Sequence, residues 1–307
     1  MVYIKKGLVH TNIRVLDKCQ ISVKKKFGFI PQSVYKFMKN KEIDNIIEDK
    51  KCPNRNLGEE GKAKRRGGGR ASYMNYSLFN SGLADFITKY FFKFNDTILD
   101  PFMGKATRPL ICNINQLNYV GFDVDTSSIE YVQNKIKEKS KYLNKKNSIN
   151  IINGDGTVLA PFINEKNIFD GIFTCPPYYN VERYSGEGND LSYCKNFNEY
   201  LKNIEILMKN CYRLLKTSNF KEDDFHLAIF VVGSFRENKK GLIDLDFYFQ
   251  KLAYDAGFVL HDKIIHQNIP ATLVFTVRRN YVKKITAKAH ETVLVFRKEE
   301  KNDFRYI

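Results

Sequence analysis

Three observations predict an α/β fold built on a mainly parallel sheet. From Tyr76 onward, helix-like and strand-like segments alternate, the pattern of strands joined by covering helices. The run His226-Leu-Ala-Ile-Phe-Val-Val-Gly233 is continuously apolar, as a strand covered on both faces requires. Two short strands end in the acid-bearing turns at Asp100 and Asp123 just before helices, the arrangement found at the ligand-binding carboxyl edge of such sheets.

The elements follow in order. Leu8 to Val15 fits a strand and Val34 to Ile47 an amphipathic helix behind Pro31. Leu78 to Phe92 carries apolar residues at helical spacing. Thr97 to Asp100 is the first strand of the alternating part, and Pro109 to Leu117 is its helix. Tyr119 to Val124 is the second strand, followed by a helix capped by Thr126 or Ser127 and running through Lys137. Ile149 to Asn153 is the third, and Asp170 to Thr174 completes the fourth. Phe197 to Leu215 places Leu201, Ile204, Leu207, Met208, Cys211 and Leu215 on one helical face. His226 to Gly233 is a central strand, and Asp246 to Ala256 a helix stopped by Gly257. Strands near Phe258 to Ile265 and Thr292 to Phe296 close the pattern.

Composition bounds the partners. Of the formal charge of +16, residues 1–70 hold 18 Lys/Arg against 7 Asp/Glu, a net +11, so a basic end precedes a nearly balanced body. That asymmetry points to a polyanion, most simply nucleic acid. Gly61 to Arg70 holds five cations and four glycines in ten residues; it cannot pack a core and suits a clamp on phosphates through Lys64, Arg65, Arg66 and Arg70. The expected organisation is a basic extension and linker over 1–70 and an α/β domain over 71–307. Six cysteines without a Cys-x-x-Cys pair argue against a zinc site, and no metal is expected. With no signal-like segment and no membrane-length apolar run, a reduced, cytoplasmic setting and no membrane partner are expected.

The chemistry gathers at strand ends. Asp100-Pro-Phe-Met-Gly-Lys-Ala-Thr107 joins a strand to a helix, where a glycine admits a ligand to the backbone and the helix start offers free N–H groups. Asp123, twenty-three positions on, can accept both hydroxyls of a ribose. Asp155, in Asn153-Gly-Asp-Gly156, fits either a plain turn or a partner for an adenine amino group. One glycine in the first loop argues against a dinucleotide, and no phosphate-binding Gly-x-x-x-x-Gly-Lys motif occurs. Phe173-Thr-Cys-Pro-Pro-Tyr-Tyr179 ends the fourth strand, where paired prolines stop the ladder and stiffen the turn.

Asp-Pro-Phe-x-Gly, Gly-Phe-Asp-Val-Asp, Gly-Asp and Cys-Pro-Pro-Tyr, in this order on four successive strands, resemble the S-adenosylmethionine-dependent DNA methyltransferases that modify exocyclic amino groups, the phage-encoded modification methylases of restriction-modification type above all. The resemblance runs from about Tyr76 to Lys298, about seven tenths of the chain. It implies a Rossmann-like class I methyltransferase sheet of seven strands, one antiparallel, and S-adenosyl-L-methionine as cofactor. By resemblance Phe79, Asp100, Pro101, Phe102, Gly104 and Thr107 line the cofactor, Asp123 holds its ribose and Asp155 its adenine, while Cys175, Pro176, Pro177 and Tyr178 form the catalytic tetrapeptide. Arg183 and Tyr184 follow in a loop suited to the target strand. Two departures stand out: Ala106 where the family often has a second glycine, and Cys175 where it has Asp, Asn or Ser.

The expected partner is duplex DNA with its target base flipped out, and the expected reaction is methylation of an exocyclic amino group. Cysteine is sterically nearer serine, which tilts the choice towards N4-cytosine over N6-adenine. Three alternatives stay open: methylation of RNA amino groups, C5-cytosine methylation with Cys175 as nucleophile, and a non-catalytic nucleic-acid-binding relative.

Overall fold

The computed structural model describes residues 25, 32–48, 78–179, 190–237, 241–268, 280–286 and 288–299. The chain divides into units 1–32 and 33–307, and the fold described lies in the second. The expected strand at Leu8 to Val15 and the Gly61 to Arg70 segment lie outside the described residues.

Ten strands and six helices make up the fold among the described residues, four short 3-10 turns apart. They are β1 Val34–Tyr35, α1 Lys41–Ile47, α2 Ser81–Phe91, β2 Thr97–Asp100, α3 Thr107–Ile114, β3 Asn118–Asp123, α4 Thr126–Glu138 and β4 Ile149–Asn153. Then come β5 Gly171–Thr174, α5 Phe197–Leu214, β6 Leu227–Val232, β7 Phe235–Glu237, β8 Gly241–Ile243, α6 Leu245–Ala256, β9 Val259–Gln267 and β10 His290–Arg297. The main sheet runs β1-β9-β10-β6-β5-β2-β3-β4, with β7 and β8 in a separate hairpin. β10 is antiparallel to both neighbours, and the other pairings are parallel.

The expected α/β class and single antiparallel strand are borne out; the count is eight strands, not seven. The eighth comes from Val34–Tyr35, which pairs with Ile265 and His266 at the sheet edge. This corrects the helix expected over Val34 to Ile47. Ser33 accepts from Ile265 N (2.6 Å), so the chain stays extended there. The helix begins only where the Asn40 side chain accepts from Glu42 and Ile43 N–H. Two smaller corrections follow the same logic. Asp125, not Thr126 or Ser127, caps α4. The helix placed at Pro109 to Leu117 runs from Thr107 to Ile114, because Gln116 turns left-handed (φ 64).

The sheet is filled from both faces. Along β6, Ala228, Phe230 and Val232 join Ile204, Leu207 and Met208 of α5 and Phe249 of α6 in one cluster. On β5, Phe173 instead meets Phe79 before α2 (5.5 Å, edge-on). Period-two alternation thus sends successive residues to opposite helical layers, which is why these strands are continuously apolar.

Strand order reverses between β2 and β5. β3 and β4 continue on one side of β2, and β5 and β6 lie on the other. Connections leave in opposite directions at that point, so a crevice opens beyond the two carboxyl ends.

Candidate active site

A cleft of about 450 Å³ lies at this edge. It brings together Phe79 from ahead of α2, Pro101, Phe102, Gly104, Thr107 and Asp123 from the first two turns, Asp155 from the third, and Cys175, Pro176, Pro177 and Tyr178 from the fourth. Lys64, Arg65, Arg66, Arg70, Arg183 and Tyr184 lie outside the described residues.

Asp100 behaves differently from its neighbours. It is fully buried and does not line the cleft. Its Oδ1 accepts from Phe102 N (3.1 Å) and Thr174 Oγ1 (2.7 Å), and its Oδ2 from Arg108 Nε (2.6 Å) and Tyr119 OH (2.7 Å). Four donors occupy the four acceptor sites of a carboxylate, so Asp100 has none left for a ligand. It ties β2 to β5 through Thr174 and β2 to β3 through Tyr119. Arg108 completes the brace: its guanidinium also donates to the carbonyls of Phe102 and Met103 and lies 4.9 Å from the Phe79 ring centroid. Arg108 had a readable signal, as the one charged residue of the helix Thr107–Ile114, though it was not singled out from the sequence.

Gly104 turns with φ +61, and a Cβ there would meet nothing within 4 Å. The glycine serves backbone conformation, and the loop is open on its outer side. Ala106 has φ −73, an ordinary right-handed value, so a second glycine is not needed.

Asp123 accepts from Gly104 N (2.8 Å) through Oδ2 and from Asp125 N (2.9 Å) through Oδ1. Each oxygen keeps a second acceptor direction, so a pair of hydroxyls can still bind. Burial raises its carboxyl to about 7, although both backbone donors oppose the shift. Asp155 Oδ1 accepts from Thr157 N (2.8 Å) and Thr157 Oγ1 (2.7 Å), which fixes the third turn.

The Cys-Pro-Pro-Tyr turn is held from behind. Tyr200, buried on α5, donates its hydroxyl to the Pro177 carbonyl (3.1 Å). The Pro176 carbonyl accepts no hydrogen bond from the described residues. Tyr178 OH lies 3.4 Å from Glu291 Oε1, and the Lys288 ammonium lies 5.5 Å from the Tyr178 ring centroid. Burial lowers the pKa of Lys288. Lys39, Asp190, Asn268 and Glu291 also line the cleft and were not singled out from sequence as site residues. Their only shared signal is position in the fold. Among the described residues no group of three His, Cys, Asp or Glu is placed to hold a metal ion. No described helix is long and apolar enough to cross a membrane.

Residues 169–307 match the N6_N4_Mtase family model, described as DNA methylase. That stretch contains the Cys-Pro-Pro-Tyr turn and the antiparallel strand, and over it the match supports the resemblance to DNA amino-methyltransferases; the motifs at Asp100, Asp123 and Asp155 lie before it. Among solved structures, the cyclase SpnF is 14% identical, with 86% of this chain and 99% of that chain covered and a TM-score of 0.50. A SAM-dependent methyltransferase from Methanosarcina mazei is 14% identical over 74% of this chain and 100% of that one, with a TM-score of 0.48. A Thermus thermophilus protein assigned as a DNA modification methylase is 16% identical over 46% and 49% of the two chains, with a TM-score of 0.32. At 14% identity the likeness to the cyclase is one of fold and carries no chemistry over to this chain. No match was found among the curated proteins.

Proposed function

We propose that the protein uses S-adenosylmethionine to methylate the exocyclic amino group of a flipped base in DNA, N4 of cytosine ahead of N6 of adenine. One observation carries the reading: a single cleft holds Gly104, Asp123 and Asp155 together with Pro176 and Tyr178. The first set suits a nucleoside and the second a planar base. The fit to the cofactor rests on the open backbone at Gly104 and on the acceptor directions left at Asp123.

S-adenosylmethionine, when bound, supplies an electrophilic sulfonium methyl. Asp123 would take the ribose hydroxyls and Asp155 the adenine amino group, while Phe79, Pro101, Phe102 and Thr107 close around the rest. The chain's remaining task is to raise the nucleophilicity of an amino nitrogen whose lone pair is delocalised into the base ring. A carbonyl that accepts an N–H bond from that group draws it towards tetrahedral geometry and frees the lone pair. Pro176 presents such a carbonyl, and Tyr178 offers a stacking surface for the base. The Tyr200 hydroxyl holds the turn rigid, so little reorganisation accompanies the reaction. Asp100 and Arg108 act as positioning residues beneath the first loop. The basic residues 1–70, with Arg183 and Tyr184, would supply contacts to the nucleic-acid backbone.

The test is mass spectrometry of nucleosides from duplex DNA treated with the protein and isotopically labelled cofactor. Label in N4-methylcytosine or N6-methyladenine is the expected result. Label in C5-methylcytosine, in RNA alone or in neither nucleic acid overturns the reading.

A further inference from the structure

The charges lining the cleft do not balance. Asp123, Asp125, Asp155, Asp190 and Glu291 face it with three cations, Lys39, Lys105 and Arg108. Arg108 is committed to Asp100 and to the carbonyls of Phe102 and Met103. Lys105 donates to Ser128 Oγ (3.2 Å) and lies 5.1 Å from the Tyr131 ring centroid. Lys39 alone of the three has neither a hydrogen-bond nor an ion-pair partner among the described residues.

The backbone around Lys39 is fixed on both sides. Asn40 N donates to Ser81 Oγ (3.0 Å), and Asn80 Nδ2 donates to the Phe37 carbonyl (3.2 Å). Between them the Met38 carbonyl comes so near Gly82 that a Cβ there would lie 1.8 Å from its oxygen. Phe37 is buried against Phe86, with ring centroids 4.8 Å apart. Residues 37–40 are therefore clamped to the start of α2, beside Asn80. A free ammonium on a fixed backbone, in a cleft otherwise dominated by carboxylates, is a built complement for an anionic group.

We propose that Lys39 binds the carboxylate of the amino-acid arm of the ligand. This rests on the nucleoside reading above and assigns the arm's recognition to the amino-terminal segment. The ribose would sit at Asp123, and the arm would reach towards α2, where its carboxylate meets Lys39 in place of five like charges. Because Lys39 is exposed, the pair is partly screened and its contribution is moderate.

Calorimetric titration of the full chain with S-adenosylhomocysteine and with methylthioadenosine tests this. The second compound keeps the nucleoside and thioether but lacks the amino-acid arm. Lys39→Met should weaken S-adenosylhomocysteine binding about tenfold, leave methylthioadenosine binding unchanged and leave the melting temperature unchanged, and Lys39→Arg should restore most of the loss. Equal losses for both ligands, or no loss for either, overturn the assignment. A variant that binds both ligands normally but holds duplex DNA less tightly also overturns it, and makes Lys39 a phosphate contact instead. A wild-type protein that binds neither compound overturns the nucleoside reading itself, an outcome distinct from wild-type binding that Lys39→Met does not alter.

Discussion

The two halves of the cleft are built differently. On the side of β2, β3 and β4, carboxylates are spent on the protein's own backbone: Asp100 takes Phe102 N–H, Asp123 takes those of Gly104 and Asp125, and Asp155 takes that of Thr157. On the side of β5 and β10, the Cys-Pro-Pro-Tyr turn gains its stiffness from two proline rings and the Tyr200 hydroxyl. A small, unvarying ligand is served by loops locked in advance. A base drawn from a polymer needs a rigid plate and an open acceptor. Both halves are thus preorganised by different means, backbone-bound carboxylates in the nucleoside half and proline rings with a buried hydroxyl in the other.

The largest effect should come from breaking the locked half. Arg108→Met strands Asp100 as a buried, unpaired charge, so unfolding in urea should show a loss of about 3–5 kcal/mol, with nucleoside binding lost too. The other half should fail without unfolding. Tyr178→Ala should slow methyl transfer to DNA about 10- to 100-fold with unchanged affinity for S-adenosylhomocysteine, and Tyr178→Phe should keep most of the rate.

pH sharpens the contrast. Hydroxyls donate best to an ionised carboxylate, and Asp123 titrates at about 7. Affinity for methylthioadenosine should therefore rise about tenfold between pH 6 and pH 8, with a proton released on binding near neutrality, as calorimetry in two buffers would show. The sign for the ligand-free protein is opposite. A carboxyl raised on folding contributes stability at acid pH that is lost as pH rises through 7.

Tyr200→Phe, which deletes one hydroxyl behind the turn, should cost about 1 kcal/mol in the barrier, a several-fold fall in kcat, with nucleoside affinity intact. Cys175→Ser should change the rate least. If amino methylation operates, the serine protein stays active to within a few-fold; its inactivation would favour a thiolate mechanism.

Much of this was legible in the sequence because burial on two faces leaves little freedom. Thr97 to Asp100 and Ile149 to Asn153 are strands at the bounds expected, and Leu227 to Val232 could hardly be anything else. Residues 32–48 were less legible. Apolar spacing from Val34 to Ile47 mimics a helix, and only pairing with β9, more than two hundred residues away, decides otherwise. Within the site, glycine and proline announced the turns, since their backbone needs are local. The role of Asp100 was hidden, because an aspartate at a strand end looks the same whether it faces a ligand or the underside of its own loop. Lys39 and Glu291 reach the cleft, and Tyr200 backs its Cys-Pro-Pro-Tyr turn, from distant segments, and no local pattern reports that.

The right-handed backbone at Ala106 has a practical corollary. The first loop keeps its shape with a methyl group where a glycine is customary, so pattern searches that insist on two glycines would pass over chains of this kind. Relatives with alanine, serine or another small residue at that place should retain the same loop, and a query relaxed there but strict at Gly104 is the better net.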